Sequence, residues 1–401
     1  MSLLVAILGL GLLILVHEAG HFFASLAVGL RPRRFYIGFP PALVRVRRRG
    51  IEYGIGAIPL GGFVSIPGMH RPVPHDVERR FSRAVEEAPL LRVPTERLRA
   101  AVESEDGPAA LAALGDLEQA LRERELSPAA EVPATKGLTE LRDAYGPDAY
   151  WKAPTWKRLV AIFAGPAANV VLTVVVFAYL FTMVGGEPSR TIAAVTEGSP
   201  AAAAGLRPGD RVVAVDGEPV SGVELGERIL ASEGRPLRLT VVRDGEELAL
   251  VVRPVRTEGG YRIGILREGV GLPLPEAAWR AVEVTGIVSR EIVFSLGRLA
   301  GGEGREDVAS PIGITRVSSD AVEEGVESYL WVLGVISLSL ALLNLLPLLP
   351  LDGGHILFTL IEGARGRLVR REVYERVSVV GIALVLLLFV IGLSNDIGRL
   401  S

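Results

Sequence analysis

The sequence predicts a polytopic α-helical membrane protein with a β-rich domain outside the bilayer. Two observations predict this class. Four apolar runs, near residues 3–29, 158–184, 329–350 and 376–394, each reach the roughly 20 residues that a helix needs to cross a bilayer. Between the second and third runs, Gly-rich turns separate short alternating apolar segments, a pattern typical of strands.

The composition requires the apolar residues to be concentrated in such runs. Of the 401 residues, 49% are hydrophobic and 22% are charged, and the mean hydropathy is +0.37. The first run lacks a basic leader, is long for a signal peptide and contains His17 and Glu18, so we expect it to be retained. The absence of cysteine excludes disulfides and thiolate metal ligands. The net charge of −3 says little about partners, and we expect no nucleic-acid partner.

The basic residues predict the topology. They follow the first run, precede the second and separate the third from the fourth: Arg31, Arg33, Arg34, Arg45, Arg47, Arg48, Arg49, Lys152, Lys157, Arg158, Arg365, Arg367, Arg370 and Arg371. By the positive-inside rule these two loops are cytoplasmic. Residues 185–328 and both termini are then expected outside.

The first run contains the pattern HEAGH at residues 17–21. His17 and His21 are four residues apart and share one helix face, so their imidazoles can hold a zinc ion, with Glu18 in reach of a water beside it. On insertion scales, each charged residue at the centre of a span costs roughly 2.5 to 3.5 kcal/mol. Residues kept at that cost are expected to have a function, so a catalytic site is favoured over an accidental match.

A third zinc ligand is expected near the end of the third run, because catalytic zinc usually takes three protein ligands. The stretch ALLNLLPLLPLDGGHIL offers Asn344, Asp352 and His355. At about 1.5 Å per residue, His17 and Asn344 lie about 21 and about 22 Å along their runs, both in the cytoplasmic half. Asp352 is the expected ligand, a helix cap is its alternative role, and His355 is a weaker candidate at the cytoplasmic boundary.

Other residues around this stretch carry further expectations. Prolines and glycines at 347–354 are expected to break the third helix around Asp352. Irregular backbone at that depth is tolerated beside a water-filled cavity, which hydrolysis in a membrane requires. His70 and His75 lie in a polar loop and are expected to be solvated.

Three motifs together resemble a known family. HEAGH in the first run, FAGPAAN at 163–169 and NLLPLLPLDGG at 344–354 are similar to the motifs of the site-2 protease family of intramembrane zinc metalloproteases, in particular its bacterial RseP-like branch. The resemblance covers nearly the whole chain apart from about residues 71–148. It implies His17, His21 and Asp352 as ligands of Zn²⁺ and Glu18 as the general base.

The resemblance also implies substrate-binding residues. The amide of Asn344 would hold the substrate backbone or the developing oxyanion, and an interhelical hydrogen bond is the alternative. Asn169 could hydrogen-bond across to the site, while Gly165 and its small neighbours favour close helix packing. Ser310 departs from the family, in which Gly commonly precedes this proline.

Two β-rich segments are predicted. Around Arg49-Gly50 the alternating apolar residues predict a hairpin. The resemblance implies that it is membrane-associated and that its edge pairs with an unwound substrate span; a merely structural hairpin is the alternative. Residues 187–268 resemble a PDZ domain in the circularly permuted order of bacterial proteases, with a helix from Ser199, a strand at Val212–Val215 and a peptide-groove strand at Tyr261–Leu266, near Gly264.

The predicted organisation has six segments. They are the first span and hairpin (1–70), a charged helical cytoplasmic insertion (71–150), the second span (151–186), the PDZ domain (187–268), an amphipathic helix and linker (269–328), and the third and fourth spans (329–401). The insertion is expected to be helical or a flexible linker. The amphipathic helix is expected either on the outer leaflet or packed on the PDZ unit.

The sequence therefore predicts an intramembrane zinc endopeptidase of the bacterial inner (plasma) membrane. By the resemblance, its substrates are single-span membrane proteins, such as an anti-sigma factor or a remnant signal peptide, trimmed outside beforehand in regulated intramembrane proteolysis. The lipid bilayer and a peptide tail at the PDZ groove are the other expected partners. The alternatives are a non-catalytic PDZ-bearing scaffold, against which Glu18 argues, and a metal-ion transporter, which leaves the PDZ-like unit unexplained.

Overall fold

The computed structural model describes residues 1–185, 187–257, 260–305 and 308–398. The helices are α1 (Ser2–Val28), α2 (Pro74–Glu87), α3 (Arg92–Glu103), α4 (Gly107–Arg122), α5 (Pro128–Tyr145), α6 (Thr155–Leu180), α7 (Pro200–Ala203), α8 (Gly222–Ala231), α9 (Leu274–Ala300), α10 (Pro311–Glu324), α11 (Val326–Asn344), α12 (Asp352–Arg365) and α13 (Arg371–Gly398). The strands are β1 (Arg34–Arg48), β2 (Ile51–Ser65), β3 (Glu187–Val195), β4 (Arg211–Val215), β5 (Glu218–Pro219), β6 (Leu237–Arg243), β7 (Glu246–Val252), β8 (Val255–Thr257), β9 (Gly260–Arg262) and β10 (Ile265–Val270).

Four of the described helices are long and apolar enough to cross a membrane. They are Ser2–Val28, Thr155–Met183, Val326–Asn344 and Arg371–Gly398. The prediction of four membrane spans is thus confirmed by length and composition. The third membrane span, α11, ends at Asn344, before the predicted boundary near 350, and α12 begins at Asp352. The predicted break therefore lies at residues 345–351, where Pro347 and Pro350 cannot donate helical hydrogen bonds.

The chain divides into two compact units. The first comprises Met1–Leu172, Ile292–Asp320 and Ile336–Ser401, and the second comprises Thr173–Glu291 and Ala321–Val335. The HEAGH and LDGG motifs both belong to the first unit.

In the first unit, β1 and β2 form an antiparallel pair that turns at Arg49 and Gly50. Both residues have positive φ, 52° and 83°, as a two-residue type I′ turn requires. The pairing goes beyond the predicted hairpin, because residues 34–37 of β1 have partners in Glu52–Ile55 and also in Gly62–Ser65. The end of β2 therefore folds back beside the start of β1. This second pairing was not predicted, since no local turn signal marks it.

Residues 74–145 form a packed helical unit, α2 to α5, rather than a flexible linker. Its core contains the fully buried side chains Phe81, Leu91, Leu98, Leu114 and Leu117. The side chain of Asp106 caps α4 by accepting a hydrogen bond from the backbone N–H of Ala109.

Ion pairs attach this helical unit to the membrane helices and the hairpin sheet. Arg33, just before β1, lies 2.9 Å from Asp143 and 2.8 Å from Asp148. Arg371, the first residue of α13, lies 2.5 Å from Asp76 in α2. The helical unit is thus connected to elements from both ends of the chain.

The second unit contains a sheet of strand order β10-β3-β4-β6-β7, with β5 paired to β4. Its core includes Ile192, Val212, Leu225, Leu239 and Ile263. The helix predicted from Ser199 is α7, and the Ser199 hydroxyl accepts a hydrogen bond from the Ala202 N–H. The strand predicted at Val212–Val215 is β4, which begins one residue earlier at Arg211.

The prediction of one groove strand over Tyr261–Leu266 is wrong. The segment is divided between β9, which ends at Arg262, and β10, which begins at Ile265. Gly264 lies between them with a φ of 81°, and a Cβ atom there would overlap the Ser199 side chain. The chain therefore bends at Gly264 and enters the edge strand of the sheet only after it.

Candidate metal centre

The helices α1 and α12 bring together His17, His21 and Asp352. Both histidines are 7% exposed and lie on one face of α1, as their spacing predicts. Their Nε2 atoms are 3.2 Å apart. Asp352, the first residue of α12, places its Oδ2 atom 3.2 Å from Nε2 of His17 and 3.3 Å from Nε2 of His21. Three candidate ligand atoms therefore converge on one point.

The spacing of these atoms fits a zinc ion. Ligand atoms bound about 2.0–2.1 Å from a tetrahedral zinc lie about 3.3 Å from one another. The three observed separations, 3.2, 3.2 and 3.3 Å, agree with that value. Two imidazole nitrogens and one carboxylate oxygen also form a set of three ligands, which leaves a fourth position for a reacting group.

A backbone carbonyl orients one of the two rings. Nδ1–H of His21 donates a hydrogen bond of 2.9 Å to the carbonyl oxygen of Ala161 in α6. This bond places the proton on Nδ1 and leaves the Nε2 lone pair free to bind a metal. Ala161 was not predicted, because a backbone acceptor leaves no residue-type signal in the sequence.

Small residues let α6 lie directly against α1. A Cβ atom at Gly165 would overlap the ring of His21, and a Cβ atom at Gly20 would overlap the carbonyl group of Ala164. This agrees with the close helix packing predicted for the GPAA stretch. The role of Gly165 is thus to make room for a candidate metal ligand.

Glu18 lies beside the folded-back end of β2. The backbone N–H of Val64 is near enough to its carboxylate to interact with it electrostatically. A Cβ atom at Gly62 would come within 3.0 Å of the Glu18 Cγ. The segment Gly62–Ser65 therefore runs along the candidate base, a neighbour that the sequence did not reveal.

The three predicted substrate-binding residues, Asn344, Asn169 and Gly264, lie in three different parts of the structure. Nδ2 of Asn344 donates a 3.0 Å hydrogen bond to the Leu340 carbonyl of its own helix, so this bond is not interhelical. Asn169 is fully buried, and its backbone carbonyl accepts a 2.9 Å hydrogen bond from the Ser337 hydroxyl in α11. Gly264 belongs to the second unit. Substrate binding by all three residues stays a prediction.

The prediction that His70 is solvated is wrong. Its ring packs edge-on against Tyr374 with centroids 4.8 Å apart, and lies 6.4 Å from the ring of His355. Burial lowers the pKa of His70 to about 4, so the ring is neutral at pH 7. His75 differs, because its side chain is exposed and lies 3.8 Å from Glu78.

A buried ion pair holds α12 against α6. The guanidinium of Arg158 contacts the carboxylate of Glu362, and both side chains are buried. The other carboxylate oxygen of Glu362 accepts a 2.9 Å hydrogen bond from the Val369 N–H. The pattern of basic residues in the sequence indicates only a topology role for Arg158. The structure places it in a contact that positions the helix carrying Asp352.

Comparisons with known proteins agree with this chemistry. The sequence model of peptidase family M50 matches residues 5–388. The zinc metalloprotease RasP of Geobacillus kaustophilus is 31% identical, with 99% of this chain and 98% of the relative covered. The zinc metalloprotease RasP of Bacillus licheniformis is 29% identical, with 98% of each chain covered. The Agrobacterium fabrum protein Atu1380 is 31% identical, with 98% of this chain and 95% of that protein covered.

Proposed function

Since the chain belongs to peptidase family M50, the site-2 protease family of zinc metalloproteases, we propose that it cleaves single-span membrane proteins within the bilayer. The observation that carries this proposal is the convergence of His17, His21 and Asp352 on one point. Two of these residues lie on a helix long and apolar enough to span a membrane. Peptide bonds inside the membrane would be accessible to such a site.

The chain's own residues support a hydrolytic mechanism. Zinc held by His17, His21 and Asp352 would polarise the scissile carbonyl and make an attacking water more acidic. The carboxylate of Glu18 takes the proton from that water and delivers it to the leaving amine. The backbone N–H of Val64 lies beside this carboxylate and would help to orient it. Asn344 would contact the substrate backbone or the developing oxyanion.

The hairpin sheet is the proposed support for an extended substrate. A transmembrane helix must unwind before a protease can reach its backbone, and an exposed strand edge can pair with the unwound segment. The segment Gly62–Ser65 lies next to Glu18 and supports this role. Pairing there would present a peptide bond beside the base.

We expect the substrates to have lost most of their outer domain before cleavage. The positive-inside rule assigns the β-rich second unit to the outer side of a bacterial inner membrane and the metal centre to the cytoplasmic half. A folded PDZ-like unit outside would exclude bulky partners or bind a peptide tail. Trimmed anti-sigma factors and remnant signal peptides are the substrate types proposed, in regulated intramembrane proteolysis.

The deciding experiment compares the intact protein with Glu18→Gln. Zinc content and cleavage of a tagged single-span peptide are measured side by side in liposomes. We expect Glu18→Gln to keep its zinc and lose cleavage by at least about 10²-fold, the lower range for a general base. Glu125→Gln, which removes an exposed acid from the helical unit, serves as the matched control and should cleave normally.

Other outcomes separate the alternatives. Cleavage retained by zinc-loaded Glu18→Gln would exclude Glu18 as the base. A zinc-loaded intact protein that binds peptide tails but cuts nothing would favour the scaffold. Metal flux into the liposomes without proteolysis would favour the transporter.

A further inference from the structure

A basic cleft lies between the hairpin sheet and α5. It encloses about 1460 Å³ and is lined by the arginines Arg31, Arg33, Arg34, Arg47, Arg48 and Arg49. The opposite wall carries residues of α5, including Glu131, Glu140 and Asp143.

Most of the carboxylates that line the cleft, on either side, already have cationic partners. The pairs are Asp143 with Arg33 at 2.9 Å, Glu52 with Arg34 at 3.6 Å and Glu140 with Arg80 at 2.6 Å. Within the described part of the chain, Arg31, Arg47, Arg48 and Arg49 form no ion pair, and Glu131 is the one lining carboxylate without a partner. The cleft therefore keeps a positive charge that is free to bind an anion.

The cleft begins where a membrane span ends. Leu26, in the last turn of α1, lines the cleft and is 39% exposed. The chain leaves α1 at Gly29 and continues directly into the arginines at 31, 33 and 34. Cations that directly follow the last turn of a membrane-spanning helix are expected at the level of the lipid headgroups.

An exposed apolar surface adjoins the arginines. Val44, Val46 and Ile55 are 58%, 61% and 51% exposed. Val44 and Val46 share one face of β1, and Val44 is paired with Ile55, whereas Arg45 and Arg47 alternate to the other face. By the same alternation Arg48, which lines the cleft, lies on the face of Val44 and Val46, so the apolar face ends at the turn in an arginine of the cleft.

We propose that this cleft binds the phosphate headgroup of an anionic phospholipid, with Val44, Val46 and Ile55 against its acyl chains. Guanidinium groups match phosphate oxygens in geometry and charge. A free phosphate or an acidic peptide would use the arginines but would leave the neighbouring apolar face exposed to water. The combination of an unpaired basic cleft, a span end and an exposed apolar face favours a lipid.

The test is lipid retention by the full-length protein in a neutral detergent, measured by native mass spectrometry. The probes are phosphatidylglycerol and phosphatidylcholine with identical acyl chains. We expect the intact protein to prefer phosphatidylglycerol, and Arg47→Gln/Arg48→Gln/Arg49→Gln to weaken its retention by about tenfold or more. The matched control is Arg365→Gln/Arg367→Gln/Arg370→Gln, which removes equal charge from the other cytoplasmic basic loop and should keep the preference.

Two further measurements distinguish a lipid headgroup from a free phosphate as the bound anion. Val44→Ser/Val46→Ser leaves the arginines intact and should lower phosphatidylglycerol retention. Inorganic phosphate and glycerol phosphate should not displace the lipid at equal concentration. Because the substituted arginines and valines are exposed, the unfolding temperature in detergent should match the parent for every variant.

Three results would overturn the proposal. Equal loss in the two arginine triples would show diffuse attraction to positive charge instead of a site. Displacement by glycerol phosphate or inorganic phosphate would assign the cleft to a free anion. Unchanged retention in both Arg47→Gln/Arg48→Gln/Arg49→Gln and Val44→Ser/Val46→Ser would place the bound lipid elsewhere.

Discussion

The imidazole ring of His21 packs directly on the backbone of Gly165, so no Cβ atom can be accommodated at position 165. The contact joins a residue of the HEAGH motif to one of the FAGPAAN motif. It gives the small residue a direct role in placing a metal ligand.

Gly165→Ala should weaken zinc binding. The added methyl group must displace the His21 ring, and disturbing the support of a metal ligand typically lowers affinity about 10- to 100-fold. The measurement is zinc per chain after dialysis against graded chelator concentrations. Gly11→Ala, on α1 with open space around it, is the control and should bind zinc like the parent. Equal zinc affinity in Gly165→Ala and the parent would contradict this role.

Arg158→Met should destabilise the fold strongly. It leaves the buried carboxylate of Glu362 without its cation, and breaking a buried pair from one side costs about 3–5 kcal/mol in the free energy of unfolding. Denaturant unfolding in detergent measures the loss. The double variant Arg158→Met/Glu362→Leu should recover most of it, because no buried charge remains.

The control for that experiment is an exposed pair. Arg99→Met removes a partner from Glu96, 2.9 Å away on the surface of α3, and should lower the free energy of unfolding far less than Arg158→Met, because water screens an exposed pair. If Arg158→Met costs no more than Arg99→Met, the buried pair does not position α12 as inferred.

Asp210 should make the second unit sensitive to acid. Arg243 contacts both of its carboxylate oxygens, at 2.6 and 2.7 Å, and these hydrogen bonds lower the pKa of Asp210 below its usual 3.8. A carboxyl whose pKa is lower in the folded protein than in the unfolded chain stabilises the fold when the pH is above its unfolded-state pKa. This stabilisation is lost as the pH falls through its folded-state pKa. Asp210→Asn should therefore be destabilised at pH 7, with a difference from the parent that narrows in acid below about pH 4.

Hydrogen exchange of the full-length protein at β4 measures this effect, with parent and variant compared at each pH. Glu247→Gln, an exposed change in β7, provides the comparison for loss of charge alone. A difference between Asp210→Asn and parent that stays constant from pH 7 to strong acid would contradict the proposed origin of the stability.

Removing the metal should loosen the segment before α12. Without a cation, Asp352 connects the start of α12 to α1 through its direct contacts with His17 and His21, whereas a metal would add three coordinate bonds at this point. We expect a chelator to raise hydrogen exchange at residues 345–355 and to leave α4, inside its own core, unchanged. Identical exchange of residues 345–355 with and without chelator would show that their order does not depend on the metal.

The sequence predicted those parts of the structure that local pattern determines. The spacing of His17 and His21 and the apolar runs specify helix faces and spans, and the intramembrane position of Asp352 made it the expected partner. The folding back of Gly62–Ser65 was not predicted because it depends on contacts with residues 34–37, distant in sequence. The packing of His70 was not predicted for the same reason, since its neighbour Tyr374 is also distant in sequence.

The candidate ligands lie far apart along the polypeptide, and this has a consequence for biosynthesis. His17, Glu18 and His21 are synthesised early, whereas Asp352 follows His21 only after more than 300 further residues. A ribosome-bound fragment that ends before α12 lacks one of the three ligating groups. The nascent protein therefore cannot assemble its hydrolytic centre while its earlier helices are entering the bilayer. Other unfolded membrane segments that enter at the same time are not exposed to a complete site.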